Sequence, residues 1–218
     1  MSQSASGDAT GAADAVSPEP MTGGSSFGTS GWDASIVHVD AALIVADKPA
    51  GVLAVPGRGP DKQDCLSVRI QRLYPDALVV HRLDMDTSGL ICFGRGAAAQ
   101  RYLSVAFAER QVTKRYVALV YGRLLQEGDD WNRVDMPLMV DWINRPRSKV
   151  DCELGKPSLT RWRVLGFDPE SDTTRVELEP FTGRSHQLRV HLEALGHPII
   201  GDPLYRPTPD PHKQTARM

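Results

Sequence analysis

The sequence predicts an α+β fold, a mixed, mostly antiparallel sheet with few flanking helices. Short segments of strand length and strand composition recur along the chain. Helical periodicity is confined to a few short stretches. The two kinds of segment do not follow the regular strand–helix alternation that builds parallel sheets.

Taken in order, residues 1–31 are mostly Ser, Gly, Ala and Thr without an apolar period. Such a composition cannot bury enough surface to offset its ordering entropy. A disordered tail is expected there, in place of any folded accessory domain. The folded domain is expected over residues 32–206, opening near Trp32. Residues 42–46 read as a buried strand, closed by Lys48-Pro49-Ala50-Gly51. A polar loop spans 56–62. Asp64 is expected to cap a short helix in which Leu66, Ile70 and Leu73 share a face and Pro75 ends the run. Residues 78–80 and 90–93 are short strands around the polar segment 81–89. Ala99, Tyr102, Leu103, Ala106 and Phe107 mark an amphipathic helix. Residues 116–121 are β-rich. Thr160, Trp162 and Val164 alternate with Arg161 and Arg163, the period of a half-exposed strand, and Val176 with Leu178 indicates another. Leu188, Leu192 and Leu195 form a last helical face, with Gly196 at its C-terminal end. Residues 207–218, polar and Pro-interrupted, are expected to be a second disordered tail.

Composition narrows the function. The apolar fraction is 41% and the formal net charge is −2, ordinary for a globular protein. No run approaches the roughly 18 apolar residues of a membrane span, and the N-terminus lacks the basic and apolar regions of a secretory signal. Cys65, Cys92 and Cys152 are sparse and lack CxxC spacing, which fits small apolar fillers in a reducing cytoplasm. The acids Asp8, Asp14 and Glu19 lie in the tail without a balancing cation, so the rest of the chain is near neutral. Nucleic-acid binding would then rest on local basic patches.

Three segments concentrate chemistry. His81, Arg82, Asp84, Asp86, Thr87, Ser88 and Gly89 crowd one short connection between apolar strands. That density of ionisable groups fits a site or a charged surface loop about equally. In 182–191, free N–H groups at a helix start beside Arg184 suit a phosphate, although a capped amphipathic helix explains the segment as well. Lys114-Arg115-Tyr116 sets an aromatic beside two cations, a pairing able to stack on a base and hold phosphates. Arg145, Arg147 and Lys149 form a further basic loop. His186, His191 and His197 are not spaced as helical metal ligands, so no metal is expected.

His81-Arg82-Leu83-Asp84, followed after two residues by Thr87-Ser88-Gly89, resembles the signature of RluA-type pseudouridine synthases. The likeness runs from about residue 42 to 205. It takes in Asp47-Lys48-Pro49-Ala50-Gly51, Lys114-Arg115-Tyr116-Val117-Ala118, the run 183–191 and Gly196-His197-Pro198-Ile199-Ile200-Gly201-Asp202. The stretch 137–146 followed by Gly155-Lys156-Pro157 resembles a narrower, dual-specificity subgroup. Its members modify tRNA anticodon loops and a hairpin of large-subunit ribosomal RNA.

The resemblance implies the pseudouridine synthase fold and isomerisation of specific uridines in structured RNA. The N1–C1′ bond breaks, the uracil turns, and C5 bonds to C1′. This is redox-neutral, so no cofactor is implied, and neither is a membrane or an obligate protein partner. It makes Asp84 the nucleophile, attacking C1′ or C6, or alternatively the base that takes a C2′ proton on a glycal route. Arg189 becomes its ion-pair partner. Tyr116 becomes the stacking face and an aid in removing the C5 proton. Arg82 would hold the place vacated by the target nucleotide, or its phosphate. From charge alone, and not from the resemblance, Arg115, Arg145, Arg147 and Lys149 are expected to contact RNA phosphates, and Arg184 is expected to do so from its place at a helix start. Family members continue past Tyr205 into a further apolar strand, so the sheet is expected to lack a C-terminal strand. That leaves three alternatives: a truncated sequence, a fold complete enough to work, or a catalytically impaired RNA-binding protein. An RNA N-glycosidase is a further alternative.

Overall fold

The computed structural model describes residues 35–205 apart from residue 129. Both expected tails, and the segment in which a C-terminal strand was sought, lie outside the described residues. The fold class is α+β, as expected. The described strands do not form one mixed sheet, however. They form two four-stranded sheets and a two-stranded hairpin, and every pairing between strands is antiparallel.

The first sheet contains β1 (Ser35–Val39), β2 (Leu43–Lys48), β3 (Ala77–Val79) and β4 (Gly89–Arg95), in the order β1-β2-β4-β3. Register places Ile44 opposite Phe93 and Ala46 opposite Ile91, and all four are buried. Helix α1 (Leu66–Leu73) buries Leu66 and Ile70, two of its three expected apolar positions. Its N-cap is Cys65 rather than Asp64. Asp64 is drawn instead to Arg69, which donates to it at 2.8 and 2.6 Å. Helix α2 (Gly96–Ala108) turns Ala99, Leu103, Ala106 and Phe107 inward, but Tyr102 is 74% exposed. Four residues at i, i+4, i+7 and i+8 already make a stripe, and Tyr102 sits beyond its edge.

The second sheet contains β5 (Tyr116–Tyr121), β6 (Asn132–Asp135), β9 (Leu159–Asp168) and β10 (Thr173–Pro180), in the order β5-β10-β9-β6. The hairpin pairs β7 (Leu138–Val140) with β8 (Ser148–Val150). Val120, Val134, Trp162, Val176 and Leu178 bury one face of the sheet together with Leu192 of α3 (Gln187–Ala194). Gly196 follows α3 at φ 82°, and its N–H donates to the Glu193 carbonyl at 2.9 Å. A glycine is suited to that left-handed exit. A small cluster of Leu138, Val190 and Tyr205 joins the hairpin, α3 and the end of the described chain. Among the described residues no helix is long and apolar enough to cross a membrane.

Candidate active site

Residues 80–88 connect β3 to β4, and their position is set from three sides. His81 accepts the Cys92 N–H through Nε2 at 3.0 Å and stacks on Phe107 at 4.4 Å. Burial, with a smaller contribution from Lys114, pulls its pKa down to about 4, so the ring is neutral and acts as an acceptor near neutral pH. Leu83 is buried. Lys48, at the end of β2, is fully buried and donates to the carbonyls of Pro49, Val52 and Met85 at 2.9, 2.8 and 2.9 Å. Its ammonium therefore ties β2 to the backbone one residue beyond Asp84. Burial lowers the Lys48 pKa, and the charges of Asp86 and Asp84 partly restore it.

Lys48→Met is expected to leave these carbonyls without their donor. The cost should be about 1–3 kcal/mol or more, read as a lower denaturant midpoint at unchanged slope. An unchanged midpoint would show that the ammonium contributes no net stability.

Arg189 approaches Asp84 from α3. Its Nη1 lies 3.5 Å from Asp84 Oδ2, across 105 residues of sequence. The rest of the guanidinium is held by Asp202, with Nε to Oδ2 at 2.6 Å and Nη2 to Oδ1 at 2.7 Å. This bidentate pair is buried on both sides, and its geometry is the strong, orienting kind. Burial works against the Asp202 charge, but bonds from Arg189 and the Leu204 and Tyr205 N–H groups outweigh it and hold the carboxyl below its ordinary range. Burial likewise opposes the charge on Arg189, and Asp202 and then Asp84 overcome it, raising its pKa. The result is a fixed cation with one N–H edge left for Asp84. Asp84 itself keeps 28% of its side chain exposed, enough for a substrate to reach it.

His186 forms another wall. Its backbone is left-handed at φ 56°, uncommon for a residue with a side chain. That conformation places Nε2 4.0 Å from Asp84 Oδ2 and Nδ1 2.8 Å from the Tyr205 hydroxyl. The Tyr205 oxygen accepts the Ser148 N–H at 2.7 Å. Its single proton is better spent on Nδ1 at 2.8 Å than on the Ser148 carbonyl at 3.3 Å. That assignment leaves the imidazole proton on Nε2, facing Asp84. Burial lowers the His186 pKa more than the charge of Asp84 raises it, so the ring is neutral at neutral pH.

Tyr116 opens β5 on the inward face. Burial, and then the charge of Asp84, push its hydroxyl pKa up. Asp84, Arg189 and Tyr116, drawn from distant segments, are thus brought together. The other candidates are distributed differently. Arg82 is exposed beside Asp84 in sequence and pairs with no carboxylate among the described residues. Arg115 is tied to Glu177 and Glu179 at 3.5 and 3.6 Å and lies over Trp131. Arg161 and Arg163 reach the same ring and the same two acids, so this is an ion lattice on the outward face of the second sheet. Arg147 pairs with Glu193 at 2.8 Å, and Lys149 with Asp151 at 3.4 Å. Arg184 is exposed and donates to the Pro157 carbonyl at 3.2 Å. Its backbone N–H is already taken by the Gln187 side chain, which leaves fewer donors for a phosphate than the sequence promised.

Sequence reasoning missed Asp202, Tyr205 and His186 as parts of one network. Asp202 and Tyr205 were noticed only as motif letters. The available signal was an acid and an aromatic three residues apart, following a glycine turn. His191 and His197 have other partners. His191 bonds Thr160 Oγ1 and the Met136 carbonyl, and His197 the Tyr121 carbonyl. Among the described residues no cluster of three His, Cys, Asp or Glu gathers with metal-holding geometry.

Residues 42–194 match the RNA pseudouridylate synthase family. The chain is 47% identical over 170 residues to the dual-specificity RNA pseudouridine synthase RluA of Yersinia pestis, covering 78% of this chain and 81% of that one. It is 46% identical over 183 residues to the RluA of Escherichia coli K12, covering 84% and 81%. Among solved structures, human RNA pseudouridylate synthase domain containing 1 superposes with TM-score 0.65 at 32% identity, covering 80% of this chain and 70% of that one. Domain containing 4 superposes with TM-score 0.61 at 28% identity, covering 78% and 68%. The chain belongs to the RNA pseudouridylate synthase family and is an isomerase that forms pseudouridine in RNA.

Proposed function

We propose that the chain modifies uridines in a tRNA anticodon loop and in a hairpin of large-subunit ribosomal RNA, in the cytoplasm, with Asp84 as nucleophile. The observation that carries the mechanism is the Arg189 guanidinium, clamped by Asp202 and presenting its remaining edge to Asp84 at 3.5 Å. A cation fixed there orients the carboxylate for attack. The subgroup likeness over 137–146 and the dual-specificity name of the relatives support two RNA targets.

In this mechanism the uridine leaves its stack, at a cost of a few kcal/mol, and lies against Tyr116. Asp84 bonds to C1′ or C6, or takes the C2′ proton on the glycal route. The N1–C1′ bond breaks, the ring turns, and C5 bonds to C1′; the bond from Asp84 to C1′ or C6 breaks, or C2′ regains its proton on the glycal route, the C5 proton leaves and N1 takes up a proton. In the free enzyme Tyr116 stays protonated, because burial and the Asp84 charge both disfavour phenolate.

The test is tritium release from C5-labelled uridine in tRNA and ribosomal hairpin transcripts. Release from both is expected, without free uracil. Free uracil would instead mark an N-glycosidase, and binding without release would mark an RNA-binding protein that does not turn over.

A further inference from the structure

The loop joining β7 to β8 carries large apolar side chains into solvent. Ile143 is 94% exposed and Trp142 65%. The loop is nonetheless built to hold a shape. Asp141 accepts the Asn144 N–H at 3.3 Å and its side-chain amide at 2.8 Å. The Asp141 N–H donates to the Arg147 carbonyl at 2.9 Å, and the Arg147 N–H to the Asn144 carbonyl at 3.0 Å. The Arg145 guanidinium carbon lies 3.5 Å from the centre of the Trp142 ring, and Arg145 pairs with no carboxylate among the described residues.

The loop is also tied to the reaction centre. At its base, Arg147 pairs with Glu193 of α3 and the Ser148 N–H donates to Tyr205. Tyr205 bonds His186, and His186 faces Asp84.

An exposed indole backed by a stacked guanidinium suits a flat, electron-rich partner next to negative charge. An unpaired nucleobase with its phosphate meets that description, because every base has a π-face and Arg adds cation–π attraction. A protein surface would leave Arg145 seeking an acid, and a paired duplex offers no free base face. We propose that Trp142 and Arg145 form a stacking platform for one unpaired nucleotide of the RNA, other than the target uridine, with Ile143 as a wedge that keeps the neighbouring base unstacked. This would make the tip a determinant of loop against duplex recognition. The inference rests on the reading that the Asp84 centre acts on RNA. Its test measures affinity directly, so its failure differs from an absence of tritium release.

The experiment compares wild type, Trp142→Ala, Trp142→Phe and Ile143→Ser for binding to an RNA stem–loop and to the duplex of its stem. The substituted side chains are exposed, so thermal unfolding is expected to match wild type. Trp142→Ala should bind the stem–loop about ten- to a hundred-fold more weakly, and Trp142→Phe should recover part of the loss. Duplex affinity should be unchanged. The salt dependence of stem–loop binding should also be unchanged, because no phosphate contact is removed. Equal stem–loop affinity in wild type, Trp142→Ala and Ile143→Ser would overturn the platform. So would an equal loss on stem–loop and duplex, which would point to a general rather than a base-stacking contribution.

Discussion

Asp84→Asn is expected to lower tritium release from C5-labelled RNA by on the order of 10⁴-fold or more, the scale on which covalent nucleophiles fail, while the RNA still binds. Asparagine keeps the volume and one oxygen of the side chain but cannot supply the anion. Arg189 is not orphaned by the change, because its principal partner is Asp202. The loop keeps its other supports, the Lys48 bond to the Met85 carbonyl and the His81 bond to Cys92. Unfolding and RNA affinity should therefore stay close to wild type. A variant that retained a tenth of wild-type turnover would remove Asp84 as the nucleophile.

Asp202→Asn should act on stability as well as on rate. It breaks a buried ion pair from one side and leaves Arg189 charged in a buried place, a change that costs about 3–5 kcal/mol. For a domain of this size, that corresponds to a fall in Tm of on the order of 10 °C. Turnover should fall too, because the guanidinium loses the clamp that aims it at Asp84. Arg189→Lys tests the same arrangement from the other side, since a point charge cannot fork to Asp202 and still reach Asp84.

The pH dependence gives an independent check. The folded-state pKa of Asp202 lies below its unfolded value. Its stabilising contribution is therefore present above the ordinary carboxylate range and is lost as pH falls through the depressed folded pKa. Wild type should lose stability from about pH 5 downward more steeply than Asp202→Asn does. Parallel acid limbs would show that the clamp is not a source of stability.

Much of the secondary structure was legible because burial imposes periods. Alternation in Thr160, Trp162 and Val164 and the helical spacing of Ala99, Leu103, Ala106 and Phe107 report faces directly. Tyr102 was misplaced because an aromatic next to a stripe reads like part of it. The short strands β6, β7 and β8 carry too few residues for a period, and their pairing depends on partners elsewhere in the chain. For the site, Asp84, Tyr116 and Arg189 stood out through a family likeness. Residue chemistry alone left the Asp84 loop balanced between a site and a charged surface. Asp202 was hidden because an acid after a glycine turn explains itself locally, and its role appears only when Arg189 arrives at 2.6 Å. Lys48 was hidden for the opposite reason. Lysines are almost never fully buried, so nothing in the local sequence marks this one as internal.

The contact between Asp84 and Arg189 spans 105 residues. One partner stands on a connection within the first sheet, the other on the helix that packs against the second. Contacts of such high sequence separation carry the loop-closure entropy of the intervening chain, and topologies rich in them fold slowly. Each sheet can pair its own strands without bringing these two side chains together. The proposed reacting centre therefore depends on both halves of the fold, and a chain in which only one half had formed would lack it.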